Sequence, residues 1–192
     1  MVGQRRTRRF LRLMEFVVEP ITVIGYHGTS TQLARKIISE GFKASQNPWD
    51  WLGHGAYFWQ DAPKRAFQWA KERHRDPCVV AARIELSGFI DLLDLEGMET
   101  LKSVAAGYQL HAGNTRPANL NKMNRLDCAI FNLTTSMLSL DDVLVSGYRA
   151  ACVEGKPLTI GSPIHDESHV QIVVLDEDAI TQRWIVETRE KG

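Results

Sequence analysis

Two short clusters in the first third of the chain combine reactive residue types with residues that let a ligand come close. The first is Tyr26-His27-Gly28-Thr29-Ser30. Gly28 carries no side chain, so its N–H and C=O are open to the paired donor and acceptor of a planar carboxamide. His27 can donate to a sugar hydroxyl, while Thr29 and Ser30 can serve both as helix caps and as ligand contacts. Taken alone, this pentapeptide reads as a strand-to-helix turn with a satisfied core histidine. The second cluster is Gly53-His54-Gly55-Ala56-Tyr57-Phe58. Its two glycines permit a tight approach, and Tyr57 offers a flat face to an electron-poor aromatic ring, with Trp69 or Phe67 across from it. Phe58 and Trp59 are expected to be core.

These residues need elements to hold them. A strand over the β-branched run Ile21-Thr22-Val23-Ile24 leads into Tyr26, following Phe16-Val17-Val18 and Pro20. A helix follows, capped by Thr29 or Ser30, with Leu33, Ala34, Ile37 and Ile38 inward and Gly41 as its stop. Residues 43 to 55 form a loop, and Ala56 to Trp59 a short strand. A helix then starts at Asp61 and Pro63, with Ala62, Ala66, Trp69, Ala70 and Arg73 on one face and Asp76-Pro77 at its end. Strands are expected over Val79–Leu86, Phe89–Leu95, Tyr148–Val153, Pro157–Ile160, His169–Leu175 and Ile180–Val186, and a helix over Glu96–Leu110. His111–Asn124 reads as a loop, and Asp127–Leu140 stays open between strand and helix. The irregular interleaving predicts an α+β fold with a mostly antiparallel sheet. Without G-x-G-x-x-G or G-K-[ST], neither a Rossmann nor a P-loop site is expected.

An H-G-[ST] turn, a helix ending in Gly-Phe, a loop and then G-x-G-x-Y-F before an alanine-containing helix resembles the ADP-ribosyltransferase superfamily. The closest branch is the histidine–tyrosine class of diphtheria toxin and the poly(ADP-ribose) polymerases. The resemblance covers roughly residues 21 to 75 and implies split antiparallel β-sheets with flanking helices. By that resemblance NAD+ is the co-substrate. His27 would hold the adenosine-side ribose, Gly28 the nicotinamide carboxamide, and Tyr57 would stack on the nicotinamide. The second stacking position falls at Gln68 and Trp69, and is assigned to Trp69. The third family position, usually a glutamate, falls at Gln171. Breaking the bond from nicotinamide to ribose C1′ develops an oxocarbenium-like cation that a carboxylate stabilises. A glutamine can orient the ribose 2′-hydroxyl but adds no charge, and Glu167, four residues upstream, is the alternative carboxylate. Members of the polymerase branch without this glutamate are generally mono-ADP-ribosyltransferases or inactive, so mono-transfer to a macromolecular target is expected. The likeness to small bacterial and phage toxins implies a toxin with an antitoxin partner. A degenerate NAD+- or ADP-ribose-binding module is the alternative. A related RNA 2′-phosphotransferase would need arginines at Tyr57 and Gln171 and is set aside.

Composition bounds the rest. The 192 residues suit a single domain over 15–192, and 23 basic and 23 acidic residues balance. Five of the basic ones, Arg5, Arg6, Arg8, Arg9 and Arg12, fall in an acid-free arm over 1–14. The remainder therefore holds 18 basic against 23 acidic residues, a net of −5. Such an arm is expected to be flexible, and a nucleic-acid-directed transferase using it is a further alternative. Thr7-Arg8-Arg9-Phe10-Leu11-Arg12 is similar to a twin-arginine export signal, but Glu15 and Glu19 interrupt the apolar segment such a signal needs. With no apolar run near the ~20 residues of a membrane span, a cytoplasmic protein is expected. Cys78, Cys128 and Cys152 lack metal or disulfide spacing and are expected to be reduced. His165, Asp166, Glu167 and His169 resemble a metal cluster only in composition, and no metal is expected. Cys128, in an apolar run, is expected to be core rather than a nucleophile. Asn47, Asp50 and His54 read as turn residues or target contacts.

Overall fold

The computed structural model describes residues 21–112 and 124–187. Its elements are β1 (Ile21–Ser30), α1 (Thr31–Glu40), β2 (Ala56–Gln60), α2 (Pro63–Arg73), β3 (Pro77–Leu86), β4 (Phe89–Asp91), α3 (Leu95–Ala112), α4 (Arg125–Leu140), β5 (Gly147–Cys152), β6 (His169–Val174) and β7 (Ile180–Ile185). The strands form a seven-stranded sheet in the order β4-β5-β6-β2-β1-β3-β7. Its neighbours are antiparallel except β4 and β5. The fold is thus α+β. There is one hydrogen-bonded sheet where two split sheets were expected, and its halves meet at β1 and β2.

Side-chain alternation assigns the two faces. On one, Val23, Phe58, Ala82, Ile84, Ile172 and Val174 form a core that Phe42 helps to cover. Nearby, Ala34 of α1 seats against Cys78 and Val80. On the other face, Ala66 of α2 packs with Trp59 and Val79. Farther along this face, Leu101 of α3 and Ile130 and Phe131 of α4 cover Tyr148, Ala150 and Val173. Fully burying a side chain such as Phe58 contributes about 1.5–3 kcal/mol. Alanines 34, 66 and 70 are wholly buried and let α1 and α2 lie close to the strands.

Local signals set the helix ends. The Ser30 hydroxyl accepts the Leu33 N–H at 3.3 Å, and Gly41 closes α1 with a φ of 91°. Leu33 and Ile38 are 47% and 36% exposed. The inward face expected of α1 is therefore narrower, because this short helix seats mainly through Ala34. Pro63 opens α2, which stops at Arg73 rather than at Asp76-Pro77. His74 is already extended, and Arg75 and Asp76 form a bend into Pro77. Arg73 lies over the Trp69 ring at 4.4 Å instead of in the core.

Other expectations are corrected. The strand expected over Phe89–Leu95 ends at Asp91, whose carboxylate accepts the Leu93 N–H at 2.9 Å and turns the chain. Pro157–Ile160 is a turn joined to its surroundings by the single bridge Pro157↔His165. Asp127–Leu140 belongs to helix α4, which buries Cys128, Phe131, Thr134 and Leu138 at helical spacing. Its Thr134 hydroxyl donates to the Ile130 carbonyl at 2.8 Å. The arginine arm, the run Phe16–Val18 and most of the 111–124 loop lie outside the described residues, though α3 runs on through Ala112. Among the described residues no helix is long and apolar enough to cross a membrane.

Candidate functional site

β1 and β2 hold together over two rungs, Gly25↔Gln60 and Tyr26↔Trp59, whereas β1 pairs with β3 along its whole length. The antiparallel alternation fixes where main-chain groups point. Asp61 N–H donates to the Ile24 carbonyl at 2.9 Å, which puts the backbone groups of Ile24, Tyr26 and Gly28 on the β2 side. Val79, opposite Gly28 on β3, gives its carbonyl to Val186 at the far edge. Gly28 therefore directs its N–H and C=O toward β2. The next rung there would join Gly28 to Tyr57, but the strands have already parted. The Tyr57 carbonyl is met instead by the imidazole of His27, with Nδ1 at 2.9 Å.

That contact decides the chemistry of His27. A carbonyl only accepts, so Nδ1 carries the proton, and in the neutral ring Nε2 keeps its lone pair. His27 thus offers a hydroxyl an acceptor rather than the donor expected from the sequence. Its ring packs edge-on to Phe42 at 5.5 Å and tilts against Phe58 at 6.0 Å. Desolvation lowers its pKa, the Tyr57 carbonyl works against this, and the charge of His74 lowers it further. The unfolded chain therefore binds a proton at His27 before the folded one does. Its contribution to stability should be intact above about pH 6.5 and fall as the pH drops from there toward the lower folded value. Urea midpoints measured against pH should show a shallower decline in His27→Gln; an unchanged slope would contradict this environment.

Tyr57 is fixed by the loop before it. Its hydroxyl donates to the Gly53 carbonyl at 2.7 Å and accepts the Leu52 N–H at 3.0 Å. Burial raises its pKa well above the usual tyrosine value, so it is a neutral phenol. The loop is tied to α4, where Asn132 Oδ1 accepts the His54 N–H at 2.9 Å. Asn47 and Asp50 brace the same loop, Asn47 N–H donating to the Asp50 carboxylate at 2.9 Å. The glycines flanking His54 serve packing and not the approach of a ligand. A Cβ on Gly53 would meet Phe131 Cβ at 2.9 Å, and one on Gly55 would meet Val173 Cγ2 at 2.4 Å. At Gly28 the α-carbon face is likewise closed, since a Cβ would lie 2.2 Å from the Ala66 carbonyl oxygen of α2. Only the edge of Gly28, through its N–H and C=O, is turned toward β2. Thr29 is buried and Ser30 is committed to its cap.

The other expected residues fall into two places. Gln171 pairs with Trp59, and Tyr57 with Val173, so Tyr57, Trp59 and Gln171 share one face. Gln171 is 8% exposed, and its Oε1 accepts the indole N–H of Trp51. Glu167 stands apart, in the turn before β6. Its carboxylate takes Gln68 Nε2 at 2.8 Å and Arg65 Nη2 at 3.3 Å, and Arg65 also holds Glu154 at 2.7 Å. Trp69 leans on Trp59 at 5.7 Å and His74 at 6.1 Å, with its Cε3 near Gly28. The structure thus brings the His27 imidazole to the Tyr57 main-chain carbonyl beside the Gly28 edge. The His27 ring lies on the Phe58 face of the sheet, the Tyr57 ring lies on the opposite face with Gln171, and Glu167 lies elsewhere. Sequence reasoning missed Trp51, Asn132 and Arg65, whose roles arise from partners 78 to 120 residues away. Only Trp51 gave a signal, as a polar-edged aromatic in the loop ahead of Tyr57.

His165 and Asp166 brace the 154–167 hairpin through Gly155 and Lys156. Cys152, Glu154 and His169, by contrast, bring potential ligand atoms within 4.8 Å of one another. The three cysteines are free thiols. Burial raises the pKa of Cys128 above the usual thiol value, and the nearby Asp50 charge adds to this, as suits a core residue. No protein-family model matches the chain, and no curated protein matches it in sequence.

Proposed function

We propose that the chain is an NAD+-dependent mono-ADP-ribosyltransferase of the histidine–tyrosine type, acting in the cytoplasm on a macromolecular target. The observation that carries this reading is the parting of β1 and β2 at the Gly28–Tyr57 rung. There a glycine edge and a neutral imidazole meet the main chain of an anchored tyrosine. Gly28 N–H and C=O suit the C=O and NH2 of a carboxamide. His27 Nε2 suits a ribose hydroxyl, and Tyr57 with Trp69 frames the ring. The reaction breaks the bond between the nicotinamide nitrogen and ribose C1′. Nicotinamide leaves with the bonding pair, the target nucleophile forms the new bond to C1′, and the target's proton passes to solvent. A toxin role with an antitoxin partner belongs to the same proposal and rests on the family resemblance.

A second reading, a module that binds NAD+ or ADP-ribose without cleaving it, is favoured by one specific feature. The oxygen of Gln171 is taken by Trp51, and the alternative carboxylate, Glu167, is paired with Arg65. Gln171→Glu discriminates between the two. It keeps an acceptor for Trp51 and adds the charge that stabilises an oxocarbenium-like centre. For a transferase it should raise nicotinamide release roughly tenfold or more, worth ~1.4 kcal/mol of barrier. For a binding module it should leave release at background. If Glu167→Ala abolishes release while Gln171→Ala does not, the third position belongs to Glu167. NAD+ labelled in its adenylate, incubated with lysate and then treated with protease or nuclease, identifies the target class.

A further inference from the structure

Beyond the end of β5, the ladder with β6 continues for one more rung. Cys152 pairs with His169, and Glu167 N–H donates to the Glu154 carbonyl at 3.2 Å. Because side chains two residues apart share a face, Cys152, Glu154, Glu167 and His169 gather on the side that α2 covers with Arg65 and Gln68. We propose that Cys152, Glu154 and His169 bind a transition-metal ion of the Zn2+ class. This site is independent of the NAD+ reading.

Three observations carry it. A thiol sulfur, a carboxylate oxygen and an imidazole nitrogen lie within 4.8 Å of one another, a donor set of the kind that selects Zn2+ over Mg2+ or Ca2+. His169 has one nitrogen without a partner, Nε2, while Nδ1 is the one that lies 4.0 Å from Glu154 Oε2. Its Nδ1 donates to the Glu167 carbonyl at 2.8 Å, which fixes the tautomer and leaves the lone pair on Nε2. The side chain is only 3% exposed, and Nε2 is buried with no hydrogen-bond partner. Finally, the charges favour a cation, since the single guanidinium of Arg65 faces both Glu154 and Glu167. When the metal shares Glu154, Glu167 remains as a partner for Arg65.

Binding is balanced by one proton. A cysteine binds such a metal as the thiolate, so coordination converts the Cys152 S–H to a metal-bound thiolate and releases H+ to solvent. Titrating the full chain with Co2+ as a spectroscopic probe tests this. The expected result is a thiolate-to-metal charge-transfer band that saturates at one Co2+ per chain and is displaced by Zn2+, with one proton released. Cys152→Ser should abolish the band, His169→Asn should weaken binding at least tenfold, and a Cys78→Ala/Cys128→Ala double variant should retain it. Absence of the band in the wild-type chain at saturating Co2+ overturns the proposal without reference to any variant. A band that survives Cys152→Ser overturns it equally.

Discussion

Gly28→Ala is expected to destabilise the domain by about 3 kcal/mol or more, the upper end of overpacking costs. The obstacle is backbone, since the new methyl would sit 2.2 Å from the Ala66 carbonyl oxygen and 3.3 Å from Trp69 Cε3. A side chain could rotate away, but the Ala66 carbonyl belongs to α2 and can retreat only if the helix lifts off β1. That shift would uncover Trp59 and Val79, which Ala66 covers. It would also disturb the edge of Gly28 that the proposed function uses. With a urea slope of about 2 kcal/mol per molar, the midpoint should fall by roughly 1.5 M. A midpoint unchanged within about 0.3 M would mean that α2 is not seated on β1 in this way.

Tyr57 should separate a ring effect from a hydroxyl effect. Tyr57→Phe keeps the aromatic face and deletes the hydroxyl that bridges Leu52 N–H and Gly53 C=O. Leaving these part-buried groups unpaired costs about 1–3 kcal/mol. Nicotinamide release should stay within roughly tenfold of wild type, because the face that would stack is intact. Tyr57→Ala removes the ring as well, with a stability loss of about 3–5 kcal/mol and release falling to background. Chemical denaturation and a nicotinamide assay on both variants, below the unfolding transition, provide the check. If Tyr57→Phe loses as much release as Tyr57→Ala, the anchored 50–53 loop, and not the ring, carries the effect.

What could be read from the sequence was local chemistry. Ser30 and Gly41 announced α1, Pro63 announced α2, and the β-branched runs announced β1, β3 and β6, because caps, prolines and alternation act within a few residues. The grouping of His27, Gly28 and Tyr57 was legible only through the resemblance, since nothing in either motif states that β1 and β2 lie side by side. What could not be read depends on distant partners. Asp127–Leu140 carries threonines and other residues that suit a strand, and it is helical because Ile130 and Phe131 have a sheet face to bury against. The glycines of the second cluster resemble a ligand-approach motif, yet the neighbours that require them, Phe131 and Val173, lie more than 75 residues away. Glu167 and Gln171 look interchangeable along the chain. Their separation appears only once Arg65 and Gln68 claim the first and Trp51 the second.

The most direct test is nicotinamide release from NAD+ by the full chain, compared with His27→Ala, with folding of the variant verified by circular dichroism. Loss of the imidazole removes both the tie to the Tyr57 carbonyl and the acceptor proposed for the ribose. The account predicts time-dependent release by the wild type and a decrease of about 100-fold in the variant, the scale expected when a bound substrate is mispositioned. NAD+ bound by the wild type with no nicotinamide released, or release that is equal in His27→Ala, would contradict it.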